Sequence, residues 1–125
     1  MCKKLIELPD EKMHLFTTMA ASSSAIFYYL FNSILEAGVK NGLDEKTAKE
    51  ITLNSAKSAT AHALASESKL IELINNACTP NGMTIEGINH LQENNVGKHV
   101  ETALQKILKK SKKINEVIQW NKMAP

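Results

Sequence analysis

The stretch Ile26-Phe-Tyr-Tyr-Leu-Phe-Asn-Ser-Ile-Leu-Glu-Ala-Gly-Val39 limits what this chain can fold into more than any other. Read as a helix from Ala25 to about Asn41, it wraps Ile26, Phe27, Tyr28, Tyr29, Leu30 and Phe31 around most of its first turns. Ile34, Leu35, Ala37 and Val39 continue the apolar surface. A helix that is apolar on nearly every side must be buried on nearly every side. A chain of 125 residues has material for one modest core. The expectation is therefore that a partner subunit covers what the chain itself cannot, the alternative being the central helix of a monomeric bundle. Ser22-Ser-Ser24 is expected to cap this helix at its start, and Gly42 to close it from the C′ position.

A second constraint lies at Ala77-Cys-Thr-Pro-Asn-Gly-Met-Thr-Ile-Glu-Gly-Ile88. Pro80 fixes its own φ and pushes Thr79 toward extended backbone, while Asn81 and Gly82 tolerate positive φ, so a helix arriving near Ala77 must stop and turn. Thr84 is a good N-cap for the run Ile85, Ile88, Leu91. The amides of Gly82 to Glu86 then gather at the positive end of a helix dipole and form a candidate anion site. A ligand-free helix-turn-helix corner is the plainer reading of the same residues.

The remaining chain reads as helices. Within the N-terminal segment 1–9, Met1 to Leu8 form a short strand-like run before Pro9, read either as the stub of a neighbouring domain or as a disordered N-terminus. Asp10 caps a helix to about Ala20, and Asp44 caps another from Glu45 to about Ala65. The second half of that helix, Ser55 to Ala65, is rich in small residues that admit a close neighbour. Ser66 or Ser68 starts a helix carrying Leu70, Ile71, Leu73 and Ile74. After a break at Asn94-Asn95 and Gly97, a final amphipathic helix runs from about Lys98 to Gln119, leaving residues 120–125 as a tail. The fold class is all-α, with one helical domain over residues 10–119.

Composition narrows the chemistry. All 15 basic residues are Lys, so the bidentate guanidinium fork that reads base edges is missing, and nucleic acid is not an expected partner. The lysine run Lys109, Lys110, Lys112 and Lys113 reads as a solvated face, with an acidic partner as the alternative. Cys2 and Cys78 form no metal or redox spacing, His14, His62, His90 and His99 have no i,i+4 ligand partner, and no metal site is expected. No leader or long apolar run is present, so the expected location is the cytoplasm, with no membrane span. Neither a Ser-His-Asp or Cys-His set nor a convincing carboxylate pair is seen, and no catalytic residue is assigned.

Thr79-Pro-Asn-Gly-Met-Thr-Ile85 resembles the Ser-Pro-Gly-Gly-(Ala/Thr)-Thr-Ile signature of pyrroline-5-carboxylate reductase, the last enzyme of proline synthesis. Ala37-Gly-Val-Lys-Asn-Gly-Leu43 resembles that family's Gly-Gly-Val-Lys-x-Gly-Leu, and the resemblance extends over roughly residues 10–115. It implies the family's C-terminal helical domain, an interlocked helical dimer that assembles further into rings in some members. It also implies a substrate site for a small cyclic imino acid. Backbone amides around Gly82, Met83 and Thr84 would take the carboxylate, the Thr84 hydroxyl would reach the ring nitrogen, and Thr79 and Asn81 would be secondary substrate-binding residues.

The sequence departs from the family at several points. Asn81 and Asn94-Asn95 stand where glycines are common, Met83 replaces Ala or Thr, and Ala21-Ser-Ser-Ser-Ala25 replaces Gly-Ser-Gly-Pro-Ala. The five glycines, Gly38, Gly42, Gly82, Gly87 and Gly97, make no Gly-x-Gly-x-x-Gly turn after a strand. The NAD(P)H implied for the complete enzyme therefore belongs to a nicotinamide-binding domain missing from this chain or encoded separately, and the chain alone is expected to be inactive. The resemblance leaves two functions. One is the dimerisation and substrate-binding half of the reductase; the other is a non-catalytic dimerisation or scaffold module derived from it.

Overall fold

Asp44 accepts the Thr47 amide on Oδ1 at 2.9 Å and the Thr47 hydroxyl on Oδ2 at 2.7 Å, and this paired cap starts the helix that carries the one buried apolar residue among those described. The computed structural model describes residues 10–124. They form five helices, α1 (Asp10–Lys40), α2 (Glu45–Ala65), α3 (Leu70–Ala77), α4 (Met83–Glu93) and α5 (Val96–Met123), and no strand occurs among the described residues. The strand-like run expected over residues 1–9 lies outside them. No described helix is long and apolar enough to cross a membrane.

Helix α1 departs from expectation. The two helices expected over residues 10–20 and 25–41 are one helix of 31 residues, and Ser22, Ser23 and Ser24 lie inside it rather than capping a new start. The physical reason is local. With Ala21, Ser23 and Ser24 in place of glycines and proline, nothing breaks the backbone ladder, and serine costs a helix only a few tenths of a kcal/mol. The Ser24 hydroxyl turns back onto the Ala21 carbonyl at 3.2 Å, as Thr17 does onto Met13 at 2.9 Å.

The chain divides into two compact units. The first takes the N-terminal part of α1 up to Ile26 together with α5 from Lys98. Here Thr18 is buried, and half-buried Leu104, Ile107, Leu108 and Ser111 supply the α5 side. Helix α5 runs past Gln119 to Met123.

The second unit spans Phe27–Gly97 and is organised by how α1 ends. Gly42 sits at φ 109°, donates to the Val39 carbonyl at 3.1 Å, and lets the Leu43 amide reach the Gly38 carbonyl at 3.1 Å. These are the two bonds of a Schellman closure, with Gly42 at C′ as expected. The closure folds α2 back onto α1 so tightly that a Cβ on Gly38 would lie 3.4 Å from the Ala48 Cβ and 3.3 Å from Leu43 Cδ1. Ala48 is 2% exposed, and Thr52, one turn on, is buried with its hydroxyl on the Ala48 carbonyl at 2.7 Å.

Little else is covered. Tyr28, Tyr29, Ile34 and Leu64 are exposed, and so is most of the small-residue half of α2. Much of the apolar circumference of α1 thus remains as open surface, while Leu30, Phe31 and Leu35 are half-buried; Phe27 and Phe31 stack with centroids 6.2 Å apart.

Two further starts differ from expectation. Helix α3 begins at Leu70 from Lys69, whose amide is held by Glu72 Oε2 at 3.2 Å; Ser66 instead accepts the Ser68 amide in the approach. Helix α4 begins from Gly82, so Thr84 is the second helical residue and not the cap. The break before α5 is confined to Asn94 and Asn95, the latter at φ 55°, and Gly97 is helical.

The Thr47 hydroxyl first, and its amide second, hold the Asp44 carboxyl below the usual carboxylate range. A depressed folded value means the cap contributes fully above the unfolded range and is lost as pH falls through the folded value. Replacing Asp44 by Ala is expected to lower the thermal midpoint by several degrees near neutral pH, with the gap to wild type closing in strong acid, as melts across the acid range will check.

Candidate functional site

The residues singled out by sequence lie together between α3 and α4 in the second unit. Helix α3 ends at Ala77, and the Gly82 amide donates to the Thr79 carbonyl at 3.0 Å, closing a four-residue turn over Pro80 and Asn81. Proline at the second position and positive φ at the third are the requirements of a type II turn, and Asn81 supplies the latter at φ 61°. The left-handed residue is therefore Asn81. Gly82 has an ordinary φ of −83°.

Glycine is required at 82 for a different reason. A Cβ there would overlap the Thr79 hydroxyl oxygen and lie 3.0 Å from the Thr79 carbonyl oxygen. Thr79 and Gly82 thus fix the turn between them, and the turn aims the start of α4. Gly82 is the N-cap and has no side chain to bond the first amides of the helix. The amides of Met83, Thr84 and Ile85 have no carbonyl one turn earlier in the helix to accept them, and they point outward at the positive end of the dipole.

This geometry revises the amide set read from sequence. The Gly82 amide is occupied by the turn, whereas Met83 and Thr84 offer theirs and Ile85 adds a third. Met83 is 91% exposed, so its side chain stands clear of the amides beneath it. Thr84 is exposed and on the first turn. Glu86 is also on that turn, a carboxylate that favours the dipole itself and opposes a second anion drawn there. Cys78 caps α3 as a half-buried free thiol.

The structure also assembles a side-chain cluster that sequence reasoning treated as isolated residues. In the first unit, His14 Nε2 lies 3.1 Å from Ser111 Oγ, which lies 3.0 Å from Thr18 Oγ1. The partners are 97 and 93 residues apart in sequence, and no motif links them. Only the inward register of Thr18 on α1 and Ser111 on α5 could have hinted at the pairing. No group of three or more metal-ligating side chains occurs among the described residues.

Residues 10–114 match the pyrroline-5-carboxylate reductase dimerisation family. The chain is 34% identical over 110 residues to the pyrroline-5-carboxylate reductase of Pseudomonas aeruginosa, covering 87% of this chain and 40% of that protein. It is 30% identical over 112 residues to pyrroline-5-carboxylate reductase 1 of Bacillus subtilis, covering 90% and 38% respectively. Among solved structures, the 1-pyrroline-5-carboxylate reductase of Streptococcus pyogenes superposes with a TM-score of 0.82 at 28% identity, covering 86% of this chain and 42% of that one. The Plasmodium falciparum pyrroline carboxylate reductase with NADP bound gives 0.80 at 28% identity, covering 86% and 43%. The chain spans about 40% of the length of these relatives. With the helical fold, the Thr79–Gly82 turn and the Gly42 closure all in place, the chain belongs to the pyrroline-5-carboxylate reductase dimerisation family.

Proposed function

We propose that this chain is the dimerisation and substrate-binding half of a pyrroline-5-carboxylate reductase, acting in the cytoplasm as a homodimer with a nicotinamide-binding domain supplied outside its described residues. The observation that carries the reading is the start of α4, where a glycine cap leaves the Met83, Thr84 and Ile85 amides open on a rigid turn. Such amides suit the carboxylate of a cyclic imino acid. The Thr84 hydroxyl, on the same turn, is assigned to the ring nitrogen.

The described residues contain no strand to support a dinucleotide cradle. A reduced nicotinamide held by that other domain would supply the hydride for reduction of the imine. This chain holds the carboxylate and orients the ring. The open apolar surface of α1, with Tyr28 68% and Ile34 60% exposed, supports a second copy as the covering partner. The interlocking of that dimer and any ring assembly are part of the proposal.

A second reading has its own observation. The unbroken α1 across Ala21–Ser24, where the family carries Gly-Ser-Gly-Pro, favours a module that keeps the fold and dimer while turning over no substrate.

Light scattering across a dilution series is expected to give a constant dimer mass; a stable monomer would remove the interface argument. Added to a related nicotinamide-binding domain, the chain is expected to restore NAD(P)H-dependent reduction of pyrroline-5-carboxylate. Thr84→Val is expected to lower kcat/KM by roughly tenfold to a hundredfold while the dimer mass holds. A constant dimer that binds proline at the Met83 and Thr84 amides yet restores no activity favours the non-catalytic module. Replacing Gly82 by Ala is expected to cost about 1–3 kcal/mol through overpacking against Thr79. Thr79→Ala in the same chain should recover part of that loss by removing the hydroxyl, a coupling that a denaturation double-mutant cycle will measure.

A further inference from the structure

Helix α5 has two unlike sides. Half-buried Leu104, Ile107, Leu108 and Ser111 mark the side packed into the first unit, and Ile114 and Ile118 continue that stripe at steps of three and four residues. The opposite side is exposed. Lys106, Lys110, Lys113, Val117 and Trp120 recur there at alternate steps of four and three and so form one row along the helix. Lys109 flanks its basic half and Met123 its apolar half. Val117 is 59% exposed, Trp120 68% and Met123 82%, so the outward row passes from ammonium groups to uncovered apolar side chains between Lys113 and Val117.

Charge is segregated along the chain in the same way. Residues 106–123 hold six Lys against one carboxylate, Glu116, whereas the rest of the chain holds nine Lys against twelve Asp and Glu. Glu116 lies three and four residues after Lys113 and Lys112 and offsets part of their charge, leaving the segment strongly basic. The apolar half of the row also lies past the dimerisation family match, which ends at residue 114. A second copy would bring an identical basic row, so row-on-row contact between copies sets like charges together. A convex helix face offers no pocket for a shaped ligand, but a flat anionic surface needs none. Lysine stems reach phosphates from one side of such a surface, and tryptophan, apolar with a single polar N–H, settles at the level of its headgroups.

We propose that the outward row of α5 is a peripheral docking surface for an anionic lipid bilayer. Lys106, Lys110 and Lys113, with Lys109 beside them, hold the headgroup phosphates, while Val117, Trp120 and Met123 enter the boundary between headgroups and acyl chains. The helix lies on the bilayer with its C-terminal end dipped in and does not cross it, in keeping with the absence of a membrane-length apolar helix among the described residues. Neither half of the row suffices by itself: the lysines draw the chain to the surface, and the apolar end keeps it there. The surface is separate from the α4 turn and does not depend on the reductase reading.

Trp120 is the only tryptophan of the chain, so its emission reports on the row directly. The full chain is mixed with vesicles of equal parts phosphatidylcholine and phosphatidylglycerol, and separately with vesicles of phosphatidylcholine alone. With the anionic vesicles, a blue-shifted emission, quenching by lipids brominated on their acyl chains and co-sedimentation are expected, all weakening as salt is raised. Neutral vesicles are expected to give none of these. Lys110→Gln with Lys113→Gln should weaken binding several-fold, and Trp120→Ser should do so as well, read by sedimentation because the reporter is lost. Both variants alter exposed side chains, and circular dichroism should show the helix content retained. Absence of binding to anionic vesicles, equal binding to neutral ones, or binding that survives undiminished in either variant would overturn the proposal. So would an emission already blue-shifted without vesicles, which would mean that a second copy covers the row. An equal shift with soluble polyglutamate would also overturn it, by making an acidic polypeptide the partner.

Discussion

The contact of Gly38 with Ala48 is the constraint on which the second unit depends. It exists because α1 stops in a Schellman closure at Gly42, and the closure requires a left-handed residue that only glycine adopts without cost. Once α2 is laid against α1 at that distance, the two helices are fixed to each other with almost no bulk between them. A chain that is 5% aromatic by composition and has one buried apolar residue among those described relies on close backbone approach rather than on large side chains. That economy leaves the larger residues, Phe27, Tyr28, Tyr29 and Ile34, free for surface, where they serve association better than a core.

Much of this was legible in the sequence where one residue type carries one mechanism. Asp44 marked the start of α2, and Gly42 the end of α1, because caps act over three or four residues and need no tertiary information. The Thr79-Pro-Asn-Gly turn was legible for the same reason. Its interior was not: which of Asn81 and Gly82 takes positive φ depends on where the turn closes, and the Gly82 amide on the Thr79 carbonyl puts Asn81 at the third position. Naming Thr84 as the cap followed a preference for hydroxyl caps, and the turn overrode it by handing the helix over two residues earlier, at Gly82.

The largest misreading, the break at Ser22–Ser24, has a physical lesson. Serine triplets favour caps only where something else ends the helix; here the glycines and proline that would do so are replaced, and the Ser24 hydroxyl bonds back along α1 instead. The His14–Ser111 pairing was illegible for the opposite reason. It is made by residues nearly a chain length apart, and only folding brings them together.

The Thr79–Gly82 hydrogen bond also bears on how the protein ages. An asparagine followed by glycine is chemically fragile, because the glycine nitrogen can attack the asparagine side chain, expel ammonia and leave an aspartate or isoaspartate. In the Asn81-Gly82 pair that nitrogen is held by the Thr79 carbonyl at 3.0 Å, and in the Asn41-Gly42 pair by the Val39 carbonyl at 3.1 Å. Each turn thus restrains the nucleophile of its own decay. The restraint matters most at position 81, where deamidation would set a new negative charge beside the α4 amides and leave the molecule with an occupied anion site of its own making.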